Sequence, residues 1–255
     1  MRQRAPSSGT RGQVADLRLF CFPHAGGSSA RFAGWPGWLA GSAEVIAVDL
    51  PGHGRRLREP LLTSWRLIAE DAAALIGDQA AGTFAVFGHS LGALVGYEAC
   101  RRLAGQGRPP ALLLVAGRNG PTAGLSHRPV HDLPDAPFLD ALRELGGTPS
   151  EVGSEPDLLE AFLPVLRTDM RLAETYERTP GPPLDCPIAA FGAREDQLTD
   201  GFGLLAWNRE TTADFELSLF TGQHFFTGQA AFATAFAARL ARAARQGTAY
   251  MRSVR

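Results

Sequence analysis

The sequence predicts an α/β domain: a mostly parallel sheet flanked by helices and interrupted by a helical insertion. Three observations carry this. Short, nearly all-apolar runs at Leu17–Phe22, 44–50, 83–87, 111–116, 187–192 and 215–220 read as strands buried on both faces. Residues 64–76, 91–104 and about 228–244 repeat apolar positions at helical spacing between or after them. From Gly117 to about Pro183 no strand pattern occurs, and about 65 residues is too long for a loop in a compact domain.

At 255 residues the chain suits one large domain with a modest insertion. Its 45% apolar and 20% charged content is ordinary for a globular protein. A net charge of −1 without a long basic run excludes an extended nucleic-acid footprint. No stretch approaches the ~18 to 20 apolar residues of a membrane span. Residues 1–16 are polar and Arg-bearing with no secretory core, so a disordered leader is expected there, and a tail over 246–255. Cys21, Cys100 and Cys186 are widely spaced and odd in number. They are expected to be buried free thiols in a reducing, cytoplasmic compartment.

The first strand leads into Pro23-His24-Ala25-Gly26-Gly27-Ser28, a small-residue loop that lets backbone run close to a ligand. No phosphate-binding glycine motif is present. Trp35 and Trp38 flank a Pro-Gly pair and are read as core at the start of a helix. The second strand ends in Pro51-Gly52-His53-Gly54, a turn in which His53 is given no catalytic role. Ser64 or Thr63 is a fitting N-cap for the helix over 64–76.

Phe87-Gly88-His89-Ser90-Leu91-Gly92 stands between the third strand and a helix. Such a G-x-S-x-G turn is the nucleophile elbow of the α/β-hydrolase fold, with Ser90 on the strained bend and the Leu91 amide facing any oxyanion. In isolation an ordinary Gly/Ser turn reads the same; the flanking strand and helix favour the elbow. The loop after the first strand is where that fold places its second oxyanion donor, assigned to the Ala25 amide.

Within the insertion, 137–145, 156–166 and 169–176 read as amphipathic helices, and the segment about 118–183 is expected to act as a lid. His127 and His131, at its start, are read as surface or hinge residues. A carboxylate just past the fifth strand is where a triad acid belongs. Asp196 is assigned, with Glu195 and Asp200 as alternatives and Asp200 also fitting a helix N-cap. Asp49 precedes the serine and so has the wrong chain order. His224, in the loop after the last strand, is the base. Ser90, Asp196 and His224 together predict acyl transfer through a serine ester.

The stretches F-C-F-P-H-A-G-G-S, V-D-L-P-G-H-G-R-R, F-G-H-S-L-G, L-R-E-L-G-G-T-P, L-P-V-L-R-T-D-M-R-L-A-E-T-Y and T-G-Q-H-F-F together resemble type II thioesterases. These are discrete editing enzymes of bacterial polyketide and non-ribosomal peptide pathways. The resemblance runs from about Leu17 to Leu240, and its most specific part is 132–176. It implies hydrolysis of acyl groups from the phosphopantetheine thiol of acyl or peptidyl carrier domains, which clears aberrant or stalled units. It carries nucleophile, acid and base onto Ser90, Asp196 and His224, and the oxyanion donors onto Ala25 and Leu91. No metal or resident cofactor is implied, because the phosphopantetheine arm belongs to the carrier; a monomer is implied. Gln197 replaces a proline common after the acid. Arg128, Arg143, Arg167 and Arg171 form a candidate docking patch for an acidic carrier. A carboxylesterase or lipase-like hydrolase uses the same triad, as does a cofactor-free haloperoxidase. An acyltransferase would differ only in excluding water. An inactive hydrolase fold serving as a carrier- or ligand-binding module is the non-enzymatic alternative.

Overall fold

The computed structural model of the protein describes residues 17–39, 41–146 and 156–253, with backbone alone over 156–161 and 246–253. The expected leader, residues 1–16, lies outside them.

Six strands form one sheet: β1 (Leu17–Phe22), β2 (Glu44–Ala47), β3 (Thr83–His89), β4 (Leu112–Ala116), β5 (Ile188–Ala193) and β6 (Phe215–Phe220). Their order is β2-β1-β3-β4-β5-β6, and every pairing is parallel. Among the described residues seven α-helices occur: α1 (Trp35–Trp38), α2 (Trp65–Gln79), α3 (Leu91–Gly105), α4 (Asp135–Glu144), α5 (Pro156–Glu174), α6 (Gly201–Leu205) and α7 (Ala230–Ser253).

Because side chains alternate across a strand, each strand feeds two cores. Phe20, Phe22, Val86, Leu113 and Val115 face α2 and α3 on one side. Leu19, Cys21, Phe87, Leu114 and Phe191 face Trp35 and the α7 residues Phe232, Phe236 and Leu240 on the other. Trp35 stacks among Phe32, Phe87 and Phe236, as expected of a core residue, whereas Trp38 is about one-third exposed. All three cysteines are buried and unpaired. Burial pushes the Cys21 and Cys100 thiols well up, and that of Cys186 up to about 12. No described helix is long and apolar enough to cross a membrane.

From β1 the chain builds β2 on one side, at the sheet's edge, then crosses to lay β3 on the other. The order reverses between β1 and β3, and in open parallel sheets the C-terminal ends of strands at such a switch point are where ligands bind. Phe22 lies in register with Gly88, so the loop after β1 and the Ser90 turn are immediate neighbours.

Four expectations need correction. Ser64 occupies the N-cap position of α2, but its side chain makes no capping bond. The two helices read at 156–166 and 169–176 are one, α5, which runs through Pro164. An interior proline costs about 3 kcal/mol through a lost N–H and a ring clash, so tertiary anchoring must hold that helix. Arg118 and the Trp65 indole donate to the carbonyls of Ala173 and Leu172 at 2.7 and 3.0 Å. His127 and His131 are not surface residues: their side chains are largely buried against Glu174. Finally, α7 continues through residues 246–253, which had been read as tail.

Phe236 is fully buried against five other rings, those of Trp35, Trp38, Phe87, Phe191 and Phe232. Phe236→Ala should destabilise the fold by about 3–5 kcal/mol through lost transfer energy and the cavity left behind. Urea unfolding should show a lowered midpoint at unchanged slope.

Candidate active site

Strand β3 ends in a turn too tight for side chains. A β-carbon on Gly88 would lie 2.1 Å from the Gly92 carbonyl oxygen, and one on Gly92 would lie 2.3 Å from that of Phe22. Only glycine permits that approach of α3 to β3 and β1. Ser90 sits at the bend with φ 55° and ψ −116°, the one non-glycine with positive φ among the described residues. Such a conformation costs about 1–3 kcal/mol and persists where the surroundings enforce it. Here its N–H donates to the Ala116 carbonyl at 2.8 Å, and its own carbonyl accepts from Ala93 at 3.0 Å. The residue stays half-buried.

The loops after β5 and β6 bring a carboxylate to an imidazole. Asp196 Oδ2 lies 2.9 Å from His224 Nδ1, both side chains being almost wholly buried. A carboxylate only accepts, so Nδ1 carries the hydrogen and the neutral ring keeps Nε2 as its basic nitrogen. Asp196 is itself held by the Leu198 N–H at 2.9 Å and the Thr199 hydroxyl at 3.1 Å. The alternatives are engaged elsewhere. Glu195 accepts from the Gly222 N–H. Asp200 caps α6 through the Gly203 N–H and accepts from the Ser126 hydroxyl, bonds that hold its carboxyl below the usual carboxylate range.

No hydrogen bond joins Ser90 to His224 among those the described residues form. Their neighbours bring them together. The His89 ring, next to Ser90, stacks on His224 at 4.9 Å and approaches the His224 carbonyl through Nε2 at 3.1 Å. Gly117, just beyond the carbonyl that holds Ser90, lies against both rings; a β-carbon there would lie 2.9 Å from His89 Nε2 and 3.0 Å from His224 Cε1. Burial, reinforced by His224 nearby, drives the His89 pKa well below its ordinary value. Burial likewise lowers His24 to about 4 despite its bond to the Ala25 carbonyl. Near neutral pH both rings are therefore uncharged, leaving His224 beside a carboxylate but no cation of their making.

In the loop after β1, Gly26, Gly27 and Ser29 direct their N–H groups to Asp169, the His24 carbonyl and Asp49. Neither the Ala25 nor the Leu91 N–H is engaged by another group among the described residues. Asp49 is a brace: buried, it takes the Ser29 hydroxyl at 2.8 Å and Arg55 Nε at 3.0 Å. Burial works to raise its carboxyl pKa, and these bonds outweigh burial and leave it lowered.

The segment between β4 and β5 roofs this loop. Val130, Phe138, Leu142, Leu166 and Met170 form an apolar cluster that packs on Ala25. Phe162 lies against Gly26. Residues missed in the sequence anchor it. Asp169 on α5 takes both the Gly26 N–H at 2.7 Å and His53 Nε2 at 2.8 Å. Glu174, at the end of α5, takes the Val130 and His131 N–H groups at 3.0 Å and His131 Nδ1 at 2.6 Å. One signal was available: Asp169 falls at helical spacing with Phe162, Leu166 and Ala173, a carboxylate on an apolar face. The arginine patch is largely committed within the roof. Arg167 covers the Phe138 ring and pairs with Asp135, Arg171 with Asp132, and Arg143 with Asp140. Arg128 alone of the four has no ion pair among the described residues.

Residues 17–243 match the thioesterase domain family. The chain is 36% identical to the gramicidin S biosynthesis protein GrsT of Aneurinibacillus migulanus over 84% of each chain. It is 38% identical to thioesterase PikA5 of Streptomyces venezuelae, over 82% of this chain and 75% of that one. Among solved structures, the RedJ thioesterase of the prodiginine pathway in Streptomyces coelicolor superimposes with a TM-score of 0.81 at 35% identity, covering 95% and 91% of the two chains. The type II thioesterase BorB of the borrelidin cluster gives 0.80 at 34% identity, covering 88% and 92%. An α/β-hydrolase sheet, a serine elbow and these relatives agree: the chain belongs to the thioesterase domain family, among the type II thioesterases of non-ribosomal peptide and polyketide pathways.

Proposed function

We propose that the protein hydrolyses acyl groups from the phosphopantetheine thiols of acyl or peptidyl carrier domains, freeing an assembly line of aberrant or stalled units. What supports this is the Asp196–His224 pair, together with the strained Ser90 turn whose neighbour His89 stacks on His224. The unengaged amides of Ala25 and Leu91 support it as well.

In this mechanism His224 Nε2 takes the Ser90 proton as Oγ attacks the thioester carbonyl. A serine hydroxyl is a weak nucleophile near neutral pH and needs such a base. Asp196 holds the His224 tautomer and stabilises the imidazolium. The carbonyl oxygen gains negative charge and is received by the Ala25 and Leu91 N–H groups. Each such donor contributes ~10² to 10³ in rate. The C–S bond then breaks, and the departing thiolate takes the proton from His224. Water, deprotonated by the same nitrogen, attacks the acyl ester on Ser90; its collapse returns the proton to Oγ and releases the acid. The 118–183 segment acts as the lid, its apolar cluster giving way to the acyl chain over Ala25. No resident cofactor or metal takes part. Unpaired buried thiols fit a cytoplasmic setting.

Carrier-bound acyl thioesters, compared with the same acyl groups on N-acetylcysteamine and as p-nitrophenyl esters, should be released fastest. Ser90→Ala should abolish all turnover without lowering the unfolding temperature. Cleavage with no carrier preference would instead mark a general esterase.

Asp196→Asn should keep the fold while kcat falls by about 10⁴, because an amide no longer fixes the productive tautomer of the base. Single-turnover acylation would display the loss directly.

A further inference from the structure

His53 was read as a turn residue, yet its ring is buried in a contact that bears on the chemistry. Its Nδ1 lies 3.0 Å from the Pro51 carbonyl and its Nε2 lies 2.8 Å from Asp169 Oδ2. A carbonyl and a carboxylate both only accept, so both ring nitrogens must donate. The ring is therefore an imidazolium, and with Asp169 it makes an ion pair whose two side chains are each 3% exposed. The same Oδ2 takes the Gly26 N–H at 2.7 Å. Gly26 has φ +70° and lies one residue past Ala25. The carboxylate thus joins three elements: the turn after β2, the loop after β1 and α5 of the insertion.

We propose that His53 and Asp169 are positioning residues, a buried ion pair that holds the Gly26 peptide and thereby aims the Ala25 amide at the reacting carbonyl. This rests on the reading of Ala25 as an oxyanion donor. The pair touches no substrate. It acts on the one loop amide the mechanism needs, and it docks the roof helix on that loop. A buried charge left without its partner is strongly unfavourable, so removing either group leaves the other as an unpaired buried charge.

The charged groups facing His53 are Asp169 from α5 and Asp49 from the loop after β2, the latter shared with Arg55 and Ser29. Burial alone lowers the His53 pKa, but the hydrogen bond and charge of Asp169 lead the opposing influences and leave it raised. A group whose pKa is raised on folding adds stability below its unfolded value, and that stability is lost as pH climbs through the folded value. Deprotonation would turn a ring lone pair toward an oxygen and release the Gly26 tether. The clamp is closed below the folded-state pKa, which lies above the ordinary imidazole value, and opens as pH climbs through it.

The test uses the full-length protein and the acetyl, propionyl and butyryl thioesters of N-acetylcysteamine, with the Ser90→Ala rate subtracted. His53→Gln and Asp169→Asn should each lower kcat about 10- to 100-fold with little change in KM, the scale of a misaimed catalytic group. Wild type should show an alkaline fall in kcat at the pKa that ¹⁵N NMR gives for His53, and His53→Gln should lack that limb. The NMR needs no variant: His53 must carry both ring protons at pH 7. A singly protonated His53, or variants that keep the wild-type kcat and pH profile, would overturn the proposal while leaving the Ser90 reading intact. Wild type no faster than Ser90→Ala would remove the oxyanion reading itself, and this inference with it.

Discussion

The contact between Gly88 and Gly92, where backbone meets backbone with no room for a β-carbon, sets the position of everything else in the site. It lets α3 begin directly on the ends of β1 and β3, so the first amide of the helix emerges beside the loop after β1. It also forces Ser90 into a backbone conformation that lifts its side chain out of the sheet edge. The parallel order of the strands does the rest. With every C-terminal end on one edge, the loops after β1, β3, β5 and β6 converge there without the chain having to cross itself.

Two electrostatic environments sit side by side over that edge. Around His224 the other imidazoles, His24 and His89, are kept neutral by burial, so that one ring alone is coupled to a carboxylate. Beneath the roof, by contrast, buried carboxylates carry the architecture. Asp49, Asp169 and Glu174 each collect several donors from separate loops, and each ties segments distant in sequence. Arg118 supplies the opposite charge to the C-terminal end of α5, where carbonyl groups favour a cation. Burial lowers its pKa to about 10, so it remains charged at neutral pH. A helix that contains Pro164 is thus held at its C-terminal end and along its flank.

The sheet and the elbow were legible in the sequence because they rest on local signals. Apolar runs of strand length, a glycine on either side of His89-Ser90-Leu91, and a histidine in the loop after the last strand are all readable without knowing the fold. Asp196 was separable from Glu195 and Asp200 only as a first choice, since all three sit in one loop and the difference lies in which oxygen meets His224. The roof was less readable. The sequence reading breaks α5 between Leu166 and Asp169, and the distant donors from Trp65 and Arg118 help explain why there is one helix. His53 and Asp169 stand 116 positions apart, and neither carries a motif. His131 looked like a surface residue because its partner, Glu174, lies on the far side of the insertion. Pairings of this kind arise from packing, and no periodicity announces them.

The insertion leaves the sheet at the end of β4 and returns at the start of β5, and these two strands are paired. Its endpoints therefore belong to neighbouring strands whatever lies between them, and closing a longer loop adds free energy only as the logarithm of its length. The stretch can grow, shrink or be rebuilt without disturbing the register of a single strand or the placement of Ser90. In this architecture the chemistry and the choice of what reaches it are largely separate inheritances, joined at Asp169, where the insertion meets the loop after β1. A chain can diversify the second freely wherever that one contact is kept.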